Sequence, residues 1–219
     1  MHFRRSGPPK DIPAHIRSRT SEDGSGVNLN NSQVGLEGAR ILSSSLIHMG
    51  VRSLALKGNK LGDSGVKLLC ASENFRSVKK LSLWDNQITP VGVGYLTVSE
   101  NFNRLTELNL MGNQLGDDGT TVLAASAKLS NLSHLDLSKN GITDAGAIAL
   151  ANSPYLTHLK RLDLFNNRIG PEGVRALLQS RNLNSLEQLD LTLNGISFEQ
   201  ARHLAKEVRL PKLAVLDMD

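Results

Sequence analysis

Apolar side chains recur along this chain in a fixed phrase. In Leu105–Asn113, leucines stand at 105, 108 and 110, mostly polar side chains separate them, and Asn113 closes the phrase. Leu108 and Leu110 are two apart, which puts both on one face of a short strand and Asn109 on the other. The phrase returns without insertion or deletion from Val51 to Asn59, Val78 to Asn86, Leu132 to Asn140, Leu159 to Asn167 and Leu186 to Asn194. The period is 27 residues. An apolar anchor follows each Asn: Leu61, Ile88, Leu115, Ile142, Ile169, Ile196. Five of these anchors lead to a glycine, at Gly65, Gly92, Gly119, Gly146 and Gly173, and then to a segment with helical spacing of apolar residues. Leu69, Leu96, Leu123, Leu150, Leu177 and Leu204 form a ladder along these helices; Phe75, Phe102, Leu129, Leu156, Leu183 and Leu210 form another at their ends.

One unit is therefore strand, turn, helix and return loop. A single unit cannot bury its apolar face, so neighbours must stack. Strands stack about 4.8 Å apart, closer than helices can. The prediction is an α/β solenoid: a curved right-handed coil, with a parallel sheet on the concave face and helices on the convex face. Asn59, Asn86, Asn113, Asn140, Asn167 and Asn194 fall where the chain leaves the strand. An amide both donates and accepts, so this ladder is expected to be structural, satisfying buried backbone groups in the turn.

The register also runs past both ends of the regular array. Val27, Leu29, Val34 and Gly38 keep their columns while Ser32 replaces the Asn, which defines a degenerate first repeat at 24–50. Six full repeats span 51–212, and a final strand spans 213–219. That strand would leave Leu216 and Met218 on an open sheet edge, to be covered by a partner or a second copy unless the sequence is cut from a longer chain. Residues 1–23 lie outside the period. With Pro8, Pro9, Pro13 and mixed charge they predict a mobile tail.

The template L-x-x-L-x-L-x-x-N-x-L resembles the leucine-rich repeat family. With the glycine after the anchor, residues 24–219 are most similar to its ribonuclease-inhibitor-like class. The resemblance implies an intracellular, cytoplasmic, non-enzymatic module that binds a partner protein on its concave face. It leaves open a regulator of an enzyme, such as a small-GTPase activator, although the loop residues that activity needs have no match here. It also leaves open an effector delivered by an intracellular bacterium into the host cytosol.

Composition narrows the field further. The only cysteine is Cys70, in a buried helical column, which fits a reducing compartment. No window approaches the 18 apolar residues of a membrane span. The formal charge of +4 is carried partly by the first 23 residues, and the body lacks the basic runs and interleaved aromatics that bind nucleic acid. The six histidines scatter over different columns, so neither a metal site nor a cofactor is expected, and no catalytic group is assigned.

Binding chemistry is expected in the outward strand columns. One reads Asn28, Ala55, Ser82, Asn109, Asp136, Asp163, Asp190, Asp217, four successive carboxylates flanked by Lys80, His134 and Arg161 on one side and Lys57 and Lys139 on the other. The next holds Trp84, Met111 and Phe165, directed to solvent. Trp84, Met111, His134, Asp136, Lys139, Arg161, Asp163 and Phe165 are the candidate protein-binding residues.

Overall fold

The structure, a computed structural model, describes residues 7–44 and 50–218. Expectations for residues 1–6, 45–49 and Asp219 lie outside these. Eight three-residue strands carry the repeat: β1 (Gly26–Asn28), β2 (Ser53–Ala55), β3 (Lys80–Ser82), β4 (Glu107–Asn109), β5 (His134–Asp136), β6 (Arg161–Asp163), β7 (Gln188–Asp190) and β8 (Val215–Asp217). They form one parallel sheet in sequence order. Leu54 stands opposite Leu81, Leu81 opposite Leu108, and the series continues to Leu189 and Leu216. Helices α2 (Gly35–Ser44), α3 (Gly62–Ala71), α4 (Pro90–Val98), α5 (Gly116–Ala124), α6 (Asp144–Ala151), α7 (Pro171–Leu178) and α8 (Phe198–Leu204) alternate with the strands. The largest contacts join consecutive helices and consecutive strands, so stability is built from interfaces between neighbouring turns.

The core lies between sheet and helices. Its strand leucines, from Leu54 to Leu191, are at most 2% exposed. The recurring glycine lets each helix close on the turn before it. A Cβ on Gly92 would stand 2.4 Å from Asp63 Oδ1 and 2.7 Å from Ile88 Cγ2.

Three polar ladders bind the turns together. In the first, Asn86 is fully buried. Its Nδ2 donates to the carbonyls of Leu56 and Trp84, at 2.9 and 3.0 Å. Its Oδ1 accepts from the backbone N–H of Asn59 and of Leu61, at 3.2 and 3.3 Å. The residue before each ladder position takes a left-handed φ: Asn31, Gly58, Asp85, Gly112, Lys139, Asn166 and Leu193. The second ladder is Ser72, Ser99, Ser126, Ser153 and Ser180, whose hydroxyls donate to the carbonyls of Ser43, Cys70, Thr97, Ala124 and Ala151 in the preceding repeats. The third consists of carboxylates at helix starts that cap the next turn. Asp117 accepts from Thr143 N, Thr143 Oγ1 and Gly146 N. Burial pushes its carboxyl up, but these donors outweigh burial and hold it below the ordinary value. Its contribution to stability is therefore present at neutral pH and lost as pH falls through the lowered pKa.

The mobile tail predicted for 1–23 is corrected by the structure over the described residues 7–23. Residues 12–18 form α1 (Ile12–Ser18), with Asp11 Oδ1 accepting from Ala14 N at 2.8 Å and proline in the first turn. Ile16 is 1% exposed. Thr20 bridges antiparallel to Val27, and His15 Nε2 lies 2.9 Å from Ser32 Oγ. The low apolar content of this segment misleads because it needs no core of its own. Ile12 and Ile16, four apart on one helix face, pack against an apolar edge that the first repeat already provides. Val27, Leu29 and Val34 are thereby at most 3% exposed. Truncating Ile16 to alanine is expected to cost roughly 2–3 kcal/mol in urea unfolding. An unchanged midpoint would mean that the helix contributes no cap.

Candidate protein-binding face

The three-residue strands turn every second side chain outward, and the register aligns these side chains in columns across the sheet. The first column runs Ser53, Lys80, Glu107, His134, Arg161; the second runs Ala55, Ser82, Asn109, Asp136, Asp163. Together they line a depression of about 420 Å³ that crosses β2 to β6. Lys80 Nζ lies 2.8 Å from Glu107 Oε1, and Arg161 Nη2 lies 4.0 Å from Asp163 Oδ2. Exposed pairs of this kind contribute about 0–1 kcal/mol, so they arrange charge more than they stabilise the fold.

Flanking cations play a small part in holding the file of aspartates. Donors within the sheet do most of it. Asp136 accepts from Ser138 N at 3.0 Å and from Asn109 Nδ2 at 2.7 Å. Asp163 accepts from Ser138 Oγ at 2.5 Å and from Phe165 N at 3.1 Å. Asp190 accepts from the backbone N–H and hydroxyl of Thr192. Asp136 remains perturbed. Burial pushes its carboxyl above the ordinary value, Ser138 pulls it down, and the neighbouring Asp163 adds repulsion. The fold thus favours its protonated form, and its contribution to stability is lost as pH rises through the raised pKa.

The third column is less open than the sequence predicts. Trp84, Met111 and Phe165 are each half-buried instead of projecting freely into solvent. The Lys57 ammonium lies 3.1 Å from the Trp84 ring centroid, and the Lys139 ammonium 5.5 Å from that of Phe165. The ammonium groups themselves stand over the ring faces, as cation–π pairs, and partly cover them. Ser138, between the two aromatics, is 2% exposed. Lys139 itself holds a φ of +56°, a backbone state that non-glycine residues rarely adopt.

The depression thus gathers His134, Asp136, Arg161 and Asp163, while Trp84, Met111, Lys139 and Phe165 fall outside its lining. Sequence reasoning missed Ser53 and Glu107 as lining residues, and it named Ala55, Lys80, Ser82 and Asn109 in or beside the outward column without choosing them as binding residues. Their signal was present in the same columns: small side chains on β2 and β3 leave the floor low. Among the described residues, no group of three His, Cys, Asp or Glu side chains could hold a metal ion, and no helix is long and apolar enough to cross a membrane.

Comparison with known proteins agrees with this geometry. Family models described as leucine-rich repeats match residues 51–70, 104–124 and 130–173. No curated protein matches the chain. Among solved structures, internalin C2 of Listeria monocytogenes is similar with a TM-score of 0.53 and 23% identity, over 89% of this chain and 80% of that one. Another Listeria monocytogenes internalin gives 0.47 and 21%, over 89% and 62%. A leucine-rich repeat protein of Leptospira interrogans gives 0.47 and 28%, over 76% and 37%. The chain therefore spans less than two thirds of the length of these last two. The matched segments and the sheet in register show that the chain carries leucine-rich repeats. Proteins of this family generally mediate protein–protein interaction and are typically not enzymes.

Proposed function

We propose that the chain is a protein-binding module that receives one partner protein on its sheet face across β3 to β6. The depression beside the chain's single tryptophan carries this reading. An aromatic anchor at the centre and charged side chains toward the rim are the features of a specific interface. Cations Lys80 and Arg161 occupy one column, and Asp136, Asp163 and Asp190 the next. That layout suits a partner segment whose basic side chains lie along the aspartates. Asp163 and Asp190 can each accept one: Arg161 approaches Asp163 Oδ2 no closer than 4.0 Å, and both Thr192 donors meet Asp190 at Oδ1. Burial pushes the Cys70 thiol up to about 12, so it reads as a core side chain and not as a reactive group of the face.

Changing Trp84 and Phe165 together to alanine is expected to weaken partner binding by about 2 kcal/mol or more, roughly 30-fold in Kd. Both side chains lie on the face of the sheet and outside the core, so the unfolding midpoint should remain close to wild type. Titration calorimetry with the purified partner reads the first quantity and chemical unfolding the second. Wild-type affinity in a folded double variant would overturn the site.

A further inference from the structure

The segment between α1 and β1 adds a cation to the sheet face. Thr20 bridges antiparallel to Val27, Ser21 N donates to Gly26 O at 2.8 Å, and Asn28 N donates to Arg19 O at 3.0 Å. Val27 points into the core and is 2% exposed. The positions on either side of the bridge therefore face outward, Asn28 beside Arg19 and Gly26 beside Ser21. Both Arg19 and Asn28 are exposed. The second outward column thus runs from Arg19 and Asn28, over the small Ala55 and Ser82, to Asp136 and Asp163. Positive charge lies on the β1 side, negative charge at β5 and β6, and neutral side chains between them. Two depressions join along this column. One of about 450 Å³ is lined by Arg19, Ser21 and Asn28, the other reaches Asp163, and they share Ser53 and Ala55. The neighbouring column does not cancel the gradient. Its Lys80 and Glu107 neutralise each other at 2.8 Å, and its Arg161 faces two carboxylates, Asp136 and Asp163. Among the described residues Arg19 is in no ion pair.

We propose, on the reading that the sheet face receives a partner, that this groove takes an extended segment of that partner lying across the strands, with an acidic side chain at Arg19, a basic side chain at Asp136 and Asp163, and a bulky side chain on the low floor at Ala55 and Ser82 beside Trp84. Charge complementarity fixes the direction: the segment laid the other way sets its acid against the aspartates and its base against Arg19. From Arg19 to Asp163 the column crosses six strand spacings of about 4.8 Å, or about 29 Å. An extended chain rises about 3.3 Å per residue, so the two charges stand about eight or nine residues apart. The column is one side chain wide, which suits the single row an extended segment presents; a helix is about 10–12 Å across and would overlie the ion-paired column as well.

The test uses the full chain as bait for a library of random peptides of about twelve residues. Wild type should enrich peptides that carry Asp or Glu at one end, Lys or Arg about eight or nine residues away, and a large apolar side chain between. A synthetic peptide of the enriched sequence should bind Arg19→Glu about tenfold more weakly, and replacing its acidic residue by lysine should recover the loss on that variant and not on wild type. Asp163→Asn, which keeps an oxygen to accept from Ser138 and Phe165, should weaken the same peptide by a similar factor. Arg19 is exposed and its bond to Asn28 is made by the backbone, so Arg19→Glu should unfold at the wild-type midpoint. Failure to enrich any charge-paired peptide overturns the proposal, as does an affinity that Arg19→Glu leaves unchanged. If the Trp84→Ala/Phe165→Ala variant still abolishes binding in that second case, the sheet face remains the binding surface and only the polarity falls; if neither variant changes binding, both fall.

Discussion

Substituting Asn86 with leucine is expected to cost the array roughly 2–6 kcal/mol. The magnitude follows from which partners are lost. The carbonyls of Leu56 and Trp84 keep other donors, Asn59 Nδ2 and Gly58 N, when the Asn86 amide is removed. The N–H groups of Asn59 and Leu61 lose Oδ1, the oxygen both donate to in a fully buried turn. Each orphaned donor costs about 1–3 kcal/mol. Asn194 provides the internal control. It is the last rung and only half-buried, and its Oδ1 accepts from Ile169 N. Its replacement by leucine should cost about half as much, since one donor is orphaned instead of two. Urea unfolding of both variants checks the gradient. Equal, small losses would mean that the ladder is not what joins the turns.

Phe102 is expected to be nearly as sensitive. Its ring stacks on Phe75 at 6.0 Å between centroids with a 7° tilt, and both are at most 1% exposed. Phe102→Ala should lose roughly 3–5 kcal/mol, the transfer energy of the ring plus the cavity it leaves. Phe102→Leu should lose about 1.5 kcal/mol or less, because the next turns hold Leu129, Leu156 and Leu183 at the same position. A guanidinium titration of the pair distinguishes size from chemistry. If alanine were tolerated as well as leucine, the two rings would not be packed as described.

How much of this was legible in the sequence depended on whether periodicity carried the information. The strand leucines could be placed in advance because side chains in a strand alternate and the period never slips; Leu54, Leu81 and Leu108 fall in one buried file for that reason. The serine ladder was equally legible and was overlooked, since Ser72, Ser99, Ser126, Ser153 and Ser180 keep the 27-residue spacing. Helix α1 was not, because two isoleucines among prolines and charges do not signal a helix until an apolar edge is there to receive them. The outward columns were legible as columns, but not the state of their side chains. Whether Lys57 extends to solvent or folds over Trp84 is decided by a flexible stem and a desolvated ring. The same holds for the aspartates: the column and its flanking cations were legible, while the donors that hold the carboxylates, Ser138 and Thr192, sit two residues along the turn.

The face that meets a partner is tested most directly by capture from a cell lysate with three forms of the chain run side by side. These are wild type, the Trp84→Ala/Phe165→Ala double variant, and a helix-face variant, Val98→Lys, at a side chain 73% exposed on the opposite surface. Binding through the sheet face predicts a protein retained by wild type and by Val98→Lys and lost from the double variant. A protein retained by the double variant and lost from Val98→Lys would place the interface on the helices and contradict it.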